Sequence, residues 1–231
     1  MASGEFRLRL CCGKRNRLRF LSHLEYAHAI ERGIRRSGIE FSLTQGYNPR
    51  MKLAFGPALP VGTGGMREYV DVWLRRYVPT DTALDVVQSS LAEELSPSEA
   101  KYVHMKDSSL SAQCTIGVYE VLVTGGGATE ELVRTALDEL IDEGSVTIKQ
   151  KGRTKVYDLM TCLPKEAVVR QDSQDSVSVG LSIRMGSAGS LRPEALIAEA
   201  LHRHDRSAAV KSVMRLDTLV ESKSGLLKRP I

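Results

Sequence analysis

Several features that would assign a function at once are missing from this chain of 231 residues. No stretch reaches the roughly eighteen consecutive apolar residues of a membrane-spanning helix. The N-terminus also lacks the apolar core of a secretory signal. We therefore expect a cytoplasmic protein that has no membrane partner. The contents of 42% hydrophobic and 26% charged residues are ordinary for a folded soluble chain.

Cysteine is scarce, and its spacing suits neither a metal site nor a disulfide framework. Cys11 and Cys12 are adjacent, whereas Cys114 and Cys162 are isolated. A Lys-Ser/Thr phosphate-binding loop is absent, and the acidic residues are scattered rather than paired for acid–base chemistry. We predict no metal site, no cofactor and no catalytic residues.

Acidic residues are under-represented in the first third of the chain. Residues 1–76 hold 14 Lys and Arg against 6 Asp and Glu, a net charge of +8, while the remainder is net −4. Between Arg7 and Arg19 there are six basic side chains and no acid. A one-sided positive field attracts polyanions, of which nucleic acid is the commonest in the cytoplasm. A solvated basic face without a partner is the alternative.

The hydrophobic pattern indicates an α+β protein of two similar halves. Each half shows a strand, a helix, further strands, a second helix and a last strand. This order is typical of the ferredoxin-like, or split βαβ, unit: an antiparallel sheet with both helices on one face and the other face free. We predict two such units in tandem, residues 1–107 and 112–221, and a loosely held tail at 222–231.

Within the first half, residues 17–20 are predicted to be extended, and the helix after them has well-defined ends. Ser22 and Glu25 form an S-x-x-E capping box, and Gly38 ends a helix over residues 23–37. Four basic side chains fall opposite the apolar stripe of this helix. The predicted phosphate contacts are Arg17 and Arg19 before the helix, Arg32 and Arg36 on it, and Arg50 and Lys52 beyond it.

Residues 44–50 (TQGYNPR) form the better candidate for recognising a base. Tyr47 offers a stacking face, Asn48 an amide able to form two hydrogen bonds, and Gln45 a second amide. Stacking combined with amide hydrogen bonds is how single-stranded RNA is usually read. The alternative is a rigid turn in which Tyr47 packs inward.

Two histidines and a basic hairpin complete the predicted RNA-binding set. His28 shares the basic helix face, while His23 lies at the core-facing angle of the first turn, where a structural role is the alternative. Lys149, Lys151 and Arg153 cluster at a predicted hairpin tip, which suits a phosphate backbone. Lysines protecting an exposed strand edge would give the same pattern.

Three short segments resemble those of a bacterial family, the radical-SAM-associated domain of unknown function. They are residues 20–24 (FLSHL), 46–49 (GYNP) and 58–62 (ALPVG). The resemblance implies a working partnership with a radical SAM protein and a link to RNA processing or translation. The three closely spaced cysteines of a radical SAM enzyme are absent here, so such a partner would perform the radical chemistry.

These observations favour a non-catalytic accessory protein that binds RNA and works with a radical SAM enzyme. Two alternatives stay open. A looser similarity to CRISPR repeat-processing endoribonucleases allows a metal-independent endoribonuclease that uses His23 or His28 as its base. A pure protein–protein adaptor is the other alternative.

Overall fold

The computed structural model describes residues 4–150, 152–186, 190–204, 207–222 and 224–231, with Gln150 and Arg153 described by their backbone alone. The chain divides into two compact units. The first comprises Met1–Cys114 and Asp217–Ile231, and the second comprises Thr115–Leu216. Both combine antiparallel strands with helices, which confirms the predicted mixture of the two element types.

Up to Gln113, the described residues of the first unit form four strands and three α-helices. They are β1 (Phe6–Lys14), α1 (His23–Arg36), β2 (Leu53–Phe55), β3 (Gly64–Leu74), α2 (Thr80–Gln88), β4 (Pro97–Val103) and α3 (Leu110–Gln113). A 3-10 helix, Asn16–Phe20, precedes α1. Strand β1 is antiparallel to β4 on one side and to β3 on the other, and β2 pairs with β3.

One face of this sheet carries the main core of the first unit. Alternation in β1 and β3 places Leu8, Leu10 and Val72 on the side where Ile30 of α1 and Val87 of α2 are buried. Each fully buried side chain of this size stabilises the fold by about 1.5–3 kcal/mol relative to leaving it exposed.

The opposite face is buried as well, so the prediction that it stays free is wrong. Arg7, Arg9 and Asp71 point to this face and are at most 3% exposed. Tyr69 and Cys11 on the same face pack against Leu110 of α3. A sheet face carrying charged residues is covered here because the charges neutralise each other within the fold.

The second unit follows the same strand and helix order with an insertion. Its elements are β5 (Cys114–Thr124), α4 (Glu130–Asp142), β6 (Ser145–Gln150), β7 (Arg153–Asp158), α5 (Leu159–Cys162), β8 (Val168–Ser173), β9 (Ser176–Arg184), α6 (Pro193–His202) and β10 (Ala209–Glu221). The strand order is β10-β5-β9-β8, while β6 and β7 form a separate hairpin. Strand β10 runs from the second unit into the first at Asp217.

The unit boundaries differ from the predicted ones at both ends. Residues 107–114 belong to the first unit, since Leu110 and Cys114 are part of its buried clusters. Residues 222–231 are not a separate loose tail either. Strand β11 (Leu227–Lys228) pairs with β10, and the carbonyl of Pro230 accepts a hydrogen bond from Arg9 at 2.7 Å.

Candidate nucleic-acid interface

Helix α1 presents the basic side chains of the first unit on a defined face. The predicted capping box is present: Glu25 Oε2 accepts from the Ser22 N–H at 2.8 Å, and Ser22 Oγ accepts from the Glu25 N–H at 3.3 Å. The hydrogen bonds to Ser22 lower the pKa of the Glu25 carboxyl. Gly38, with φ +76°, follows the last turn.

The outward-facing residues of α1 are those that the helical period predicts. Ile30 and Ile34 are buried, whereas His28, Arg32, Arg35 and Arg36 are exposed. Arg35 pairs with Glu31 at 2.8 Å, and the Arg36 guanidinium donates to the Ser90 carbonyl at 2.7 Å. The arginines of α1 thus keep an exposed charge, and among the described residues Glu31 is the one carboxylate that pairs with them.

A groove with an apolar floor runs beside α1. We call it the α1 groove, and it is lined by Leu18, Leu21, Glu25, His28, Ala29, Arg32 and Leu95. The chain after α2 approaches α1 closely because residue 33 is glycine: a Cβ there would lie 2.4 Å from a Leu91 methyl group. The groove therefore combines apolar surface for a base or side chain with positive charge for an anion.

Arg17 and Arg19 lie on the 3-10 helix, so the predicted extended conformation of residues 17–20 is wrong. The Leu18 N–H donates to the Arg15 carbonyl at 3.0 Å, and Asn16 has φ +51°. Arg17 is exposed, while the Arg19 guanidinium lies 4.9 Å from the centre of the Phe20 ring. Leu18 lines the α1 groove, which places both arginines next to one end of it.

Residues 44–50 form an exposed turn. The Thr44 N–H donates to the Arg50 carbonyl at 2.8 Å, and the Arg50 N–H donates to Thr44 Oγ1 at 3.1 Å. Tyr47 is 100% exposed, which removes the alternative that its ring packs inward. Gln45, Asn48 and Arg50 are exposed as well.

Lys52 is held differently from the other predicted phosphate contacts. Its ammonium group pairs with Glu5 at 2.6 Å and lies 5.1 Å from the centre of the Trp73 ring. The hydrogen bond from Lys52 lowers the pKa of Glu5. Much of the Lys52 charge is therefore already neutralised.

The turn and the 3-10 helix lie at opposite ends of β3. The Gly62 N–H, just before β3, donates to the Arg19 carbonyl at 3.0 Å, whereas the Ser42 N–H donates to the Trp73 carbonyl near its end. The 11 residues of β3 span about 35 Å. Nine of the predicted contacts thus form two groups. Arg17, Arg19, His28, Arg32 and Arg36 lie on the 3-10 helix and α1, where His28 and Arg32 line the α1 groove, and Gln45, Tyr47, Asn48 and Arg50 lie on the turn.

Arg7 and Arg9 add nothing to the exposed charge. Arg7 Nε donates to Asp71 Oδ2 at 2.8 Å, and Arg9 donates to both oxygens of Asp71 at 2.7 and 2.9 Å. Together with Lys14, which is 2% exposed, three of the six basic side chains in the acid-free stretch are therefore buried.

His23 is half-buried, and its ring packs edge-on against Phe55 at a centroid distance of 5.6 Å. It lines a narrow cavity together with Lys14 and Glu68, which are 2% and 7% exposed. The cavity that His23 lines is thus also lined by one buried basic and one buried acidic side chain.

The predicted basic hairpin is present as β6 and β7, with Lys149 exposed and paired in register with Thr154. Lys151 and the side chain of Arg153 lie outside the described residues. No described helix has the length and apolar character to cross a bilayer. Within the described ranges, no three His, Cys, Asp or Glu side chains are grouped so that they could hold a metal ion.

Three exposed residues near the end of β3 in the first unit were not among the predicted RNA contacts. Arg75, Arg76 and Tyr77 follow the end of β3, where the Arg75 N–H donates to the Glu40 carbonyl at 2.9 Å. The sequence signal that could have identified them is the R-R-Y triplet at positions 75–77.

A model of a protein family described as an uncharacterized protein conserved in bacteria (DUF2344) matches residues 7–193. The comparison with curated proteins gave no match.

Solved structures show a likeness in fold. A chain of a Cbf5–Nop10–Gar1 complex aligns with a TM-score of 0.51 and 14% identity, over 91% of this chain and 48% of that one. A chain of an H/ACA RNP bound to a substrate RNA containing 2'-deoxyuridine aligns with a TM-score of 0.49 and 15% identity, over 91% and 47%. The second score adds nothing to the fold assignment. This chain spans about half the length of each of these two matched chains. At 14% identity, the likeness to the Cbf5–Nop10–Gar1 chain concerns the fold alone.

Proposed function

The chain belongs to the DUF2344 family of uncharacterised bacterial proteins, and from that premise we propose that it is an accessory protein that binds RNA. The observation that carries the proposal is the α1 groove, where His28 and Arg32 stand exposed above an apolar floor. Arg17 and Arg19 on the 3-10 helix and Arg36, one turn beyond Arg32 on α1, add positive charge on these two elements. Exposed guanidinium groups bind phosphates, and an apolar floor accommodates bases.

The acidic residue in the α1 groove is compatible with this role. Glu25 is the only carboxylate among the lining residues, and it is engaged by the Ser22 N–H in the capping box. A carboxylate held by a helix N-terminus presents less repulsion to phosphate than an unengaged one. The turn at residues 44–50 supplies a second contact through Tyr47, Asn48 and Arg50.

We also propose that each unit is ferredoxin-like. In the first unit, β4, β1, β3 and β2 lie side by side, and in the second unit β10, β5, β9 and β8 do so. Numbered within each unit, both give the order 4-1-3-2 when β6, β7 and α5 are treated as an insertion. Two units of equal topology are what the split βαβ order in the sequence predicts.

The binding test compares the protein with an Arg32→Ala/Arg36→Ala double variant. Fluorescence anisotropy with labelled RNA should show weaker binding by the variant, because two phosphate contacts are lost. Arg134→Ala/Arg203→Ala removes the same charge from the second unit, where both arginines pair with glutamates, and should bind like the unchanged protein. Equal binding by all three proteins would refute the α1 groove as the RNA site.

We further propose that the protein works beside a radical SAM enzyme, as its family resemblance implies. Support comes from three apolar residues of the shared segments that are exposed: Phe20 at 57%, Leu24 at 69% and Val61 at 62%. Exposed apolar side chains in motif segments are typical of a protein-docking surface. A complex that survives nuclease and moderate salt would support this partnership, and the loss of co-purification after nuclease would assign the association to RNA.

A second candidate function, an endoribonuclease, is favoured by one observation. His23 lines a cavity with the buried Lys14 and Glu68, and a histidine that lines a cavity can reach the proton that a general base removes. This function requires RNA cleavage in the presence of a chelator that is abolished by His23→Ala. Intact RNA after prolonged incubation would eliminate it.

A further inference from the structure

Three aromatic rings pack together at one end of the sheet of the first unit. Tyr77 stacks on Tyr102 with a centroid distance of 5.0 Å and an interplanar angle of 29°. Phe6 meets Tyr77 and Tyr102 edge-on at 5.7 and 6.1 Å. We call these three residues the aromatic platform.

The inner rings of the platform are fixed and the outer one is exposed. Phe6 and Tyr102 pack against the buried core of the first unit. The Tyr102 hydroxyl donates to the Val78 carbonyl at 2.8 Å and accepts from the Val78 N–H at 3.1 Å, which holds the chain beside Tyr77 in place. Tyr77 itself is 59% exposed. An exposed ring that is already ordered loses little entropy when a ligand stacks on it.

Positive charge flanks the exposed ring. Arg75 and Arg76 immediately precede Tyr77 and are exposed. Arg76 has one carboxylate nearby, Glu40, at 3.4 Å, and this pair is itself well exposed to solvent. An exposed ion pair of this kind contributes little to stability, so Arg76 can leave Glu40 and bind a phosphate instead.

The platform lies beside the same loop that carries the turn at residues 44–50. Phe41 forms a bridge with Leu74, and the Arg35 guanidinium of α1 lies 5.1 Å from the centre of the Phe41 ring. The Arg75 N–H donates to the carbonyl of Glu40, the residue before Phe41. Basic residues therefore continue from the C-terminal end of α1, across this loop, to Tyr77.

We propose that Tyr77 is a stacking site for a base of single-stranded RNA, with Arg75 and Arg76 binding the adjacent phosphates. This inference rests on the proposed function and names its substrate class. A base must be unpaired to place its face on a protein ring, whereas bases within a duplex are stacked on each other. Stacking on one aromatic ring tolerates every base, so the site selects strandedness rather than sequence.

The experiment measures anisotropy with two probes, a labelled oligouridine of about 12 nucleotides and an RNA duplex of equal length. Tyr77→Ala should raise the Kd for the oligouridine by about 5- to 150-fold, the range for one stacked base, and leave the duplex Kd nearly unchanged. Tyr77→Phe keeps the ring and should bind as the unchanged protein does. Met160→Ala, an exposed apolar residue of the second unit, is the matched control.

A second readout locates the contact directly. Ultraviolet cross-linking of a bromouridine-substituted oligonucleotide to the unchanged protein should modify the peptide that contains Tyr77. Urea unfolding of Tyr77→Ala verifies that the variant is folded, and cross-linking of the unchanged protein needs no variant at all.

The outcomes separate this proposal from the proposed function. If Tyr77→Ala binds the oligouridine normally while Arg32→Ala/Arg36→Ala does not, the platform proposal is wrong and RNA binding stands. Equal weakening on single strand and duplex, or cross-links confined to other peptides, also overturns the platform. If the unchanged protein binds neither probe, both proposals fail.

Discussion

Asp71 neutralises two of the arginines that make the first third of the sequence basic. Its carboxylate is fully buried and is contacted by Arg7, with a closest approach of 2.6 Å, and by Arg9 at 2.7 Å. Further donor groups of Arg7 reach the Asp107 and Ser108 carbonyls at 2.6 and 3.0 Å. The buried charges are thus satisfied both by pairing and by hydrogen bonds, as burial of ions requires.

Replacing Asp71 with Ala or Asn should destabilise the protein by about 3–5 kcal/mol, because two buried guanidinium groups lose their counter-charge. Urea denaturation measures this loss. Asp85→Ala, at an exposed position of α2, should change the unfolding free energy by less than about 0.5 kcal/mol. A Asp71→Ala variant as stable as the Asp85→Ala control would show that the buried cluster contributes nothing.

The burial of Arg7 and Arg9 is the clearest limit on prediction from sequence. The alternation of residues 6–10 correctly indicates a strand, and the same alternation places the two arginines on the opposite face. Their partner, Asp71, is more than sixty residues away along the chain. A local pattern identifies the face but not what covers it, since the cover comes from distant residues.

Thiol reactivity provides a test of burial at four separate positions. Burial raises the pKa of Cys11 to about 11, and it also raises the pKa of Cys12 and of the half-buried Cys162. Cys114 is 2% exposed. At pH 8 a disulfide reagent should therefore react first with Cys162 in the folded protein, because it is half-buried whereas the other three thiols are buried.

The measurement is a timed thiol titration with and without denaturant. All four thiols should react in denaturant, and Cys162→Ser should remove the first reaction in the folded protein. Rapid modification of Cys11 or Cys12 under native conditions would contradict the burial of the β1 strand.

At the scale of elements, predictions succeed where local chemistry determines the outcome. Helix α1 begins and ends as its capping box and Gly38 indicate. The extended conformation predicted for residues 17–20 is wrong. The 3-10 helix there depends on the hydrogen bond to the Arg15 carbonyl and on the left-handed conformation of Asn16, and the alternation of Leu18 and Phe20 indicates neither. Strand β8 lacks an alternating apolar pattern, and Val169 is its only buried residue.

The C-terminal segment is an element that composition describes poorly. Residues 222–231 contain few apolar side chains, yet Pro230 accepts a hydrogen bond from the buried Arg9, and Ile231 packs with Cys11 and Tyr69. Arg229 donates to Asp217 at 2.9 Å. This segment therefore covers part of the buried charged face.

Deleting residues 229–231 should destabilise the first unit by about 2 kcal/mol. The main reason is that a buried guanidinium hydrogen bond is lost, and such bonds contribute about 1.5–3 kcal/mol. Urea unfolding measures the effect, with Leu226→Ala as the control, since Leu226 is 67% exposed. A deletion variant as stable as this control would mean that the segment is only loosely attached.

For the whole molecule, only part of the excess positive charge of residues 1–76 is exposed in the folded protein. Arg7, Arg9 and Lys52 are paired with carboxylates, whereas Arg17, Arg32 and Arg50 stay exposed. The mixture of helices and antiparallel strands was predictable, because each element carries its own period. The distribution of the exposed arginines over the two ends of β3 was not predictable from the sequence, because it depends on how elements far apart in the chain pack.

The salt dependence of RNA binding tests the central claim most directly. Each phosphate contact contributes about 0.7 to the slope of log Kd against log salt for a single strand. We predict that Arg32→Ala/Arg36→Ala lowers this slope by about 1.4, while Arg134→Ala/Arg203→Ala leaves it unchanged. An identical slope and affinity for both double variants and the unchanged protein would contradict an RNA-binding α1 groove.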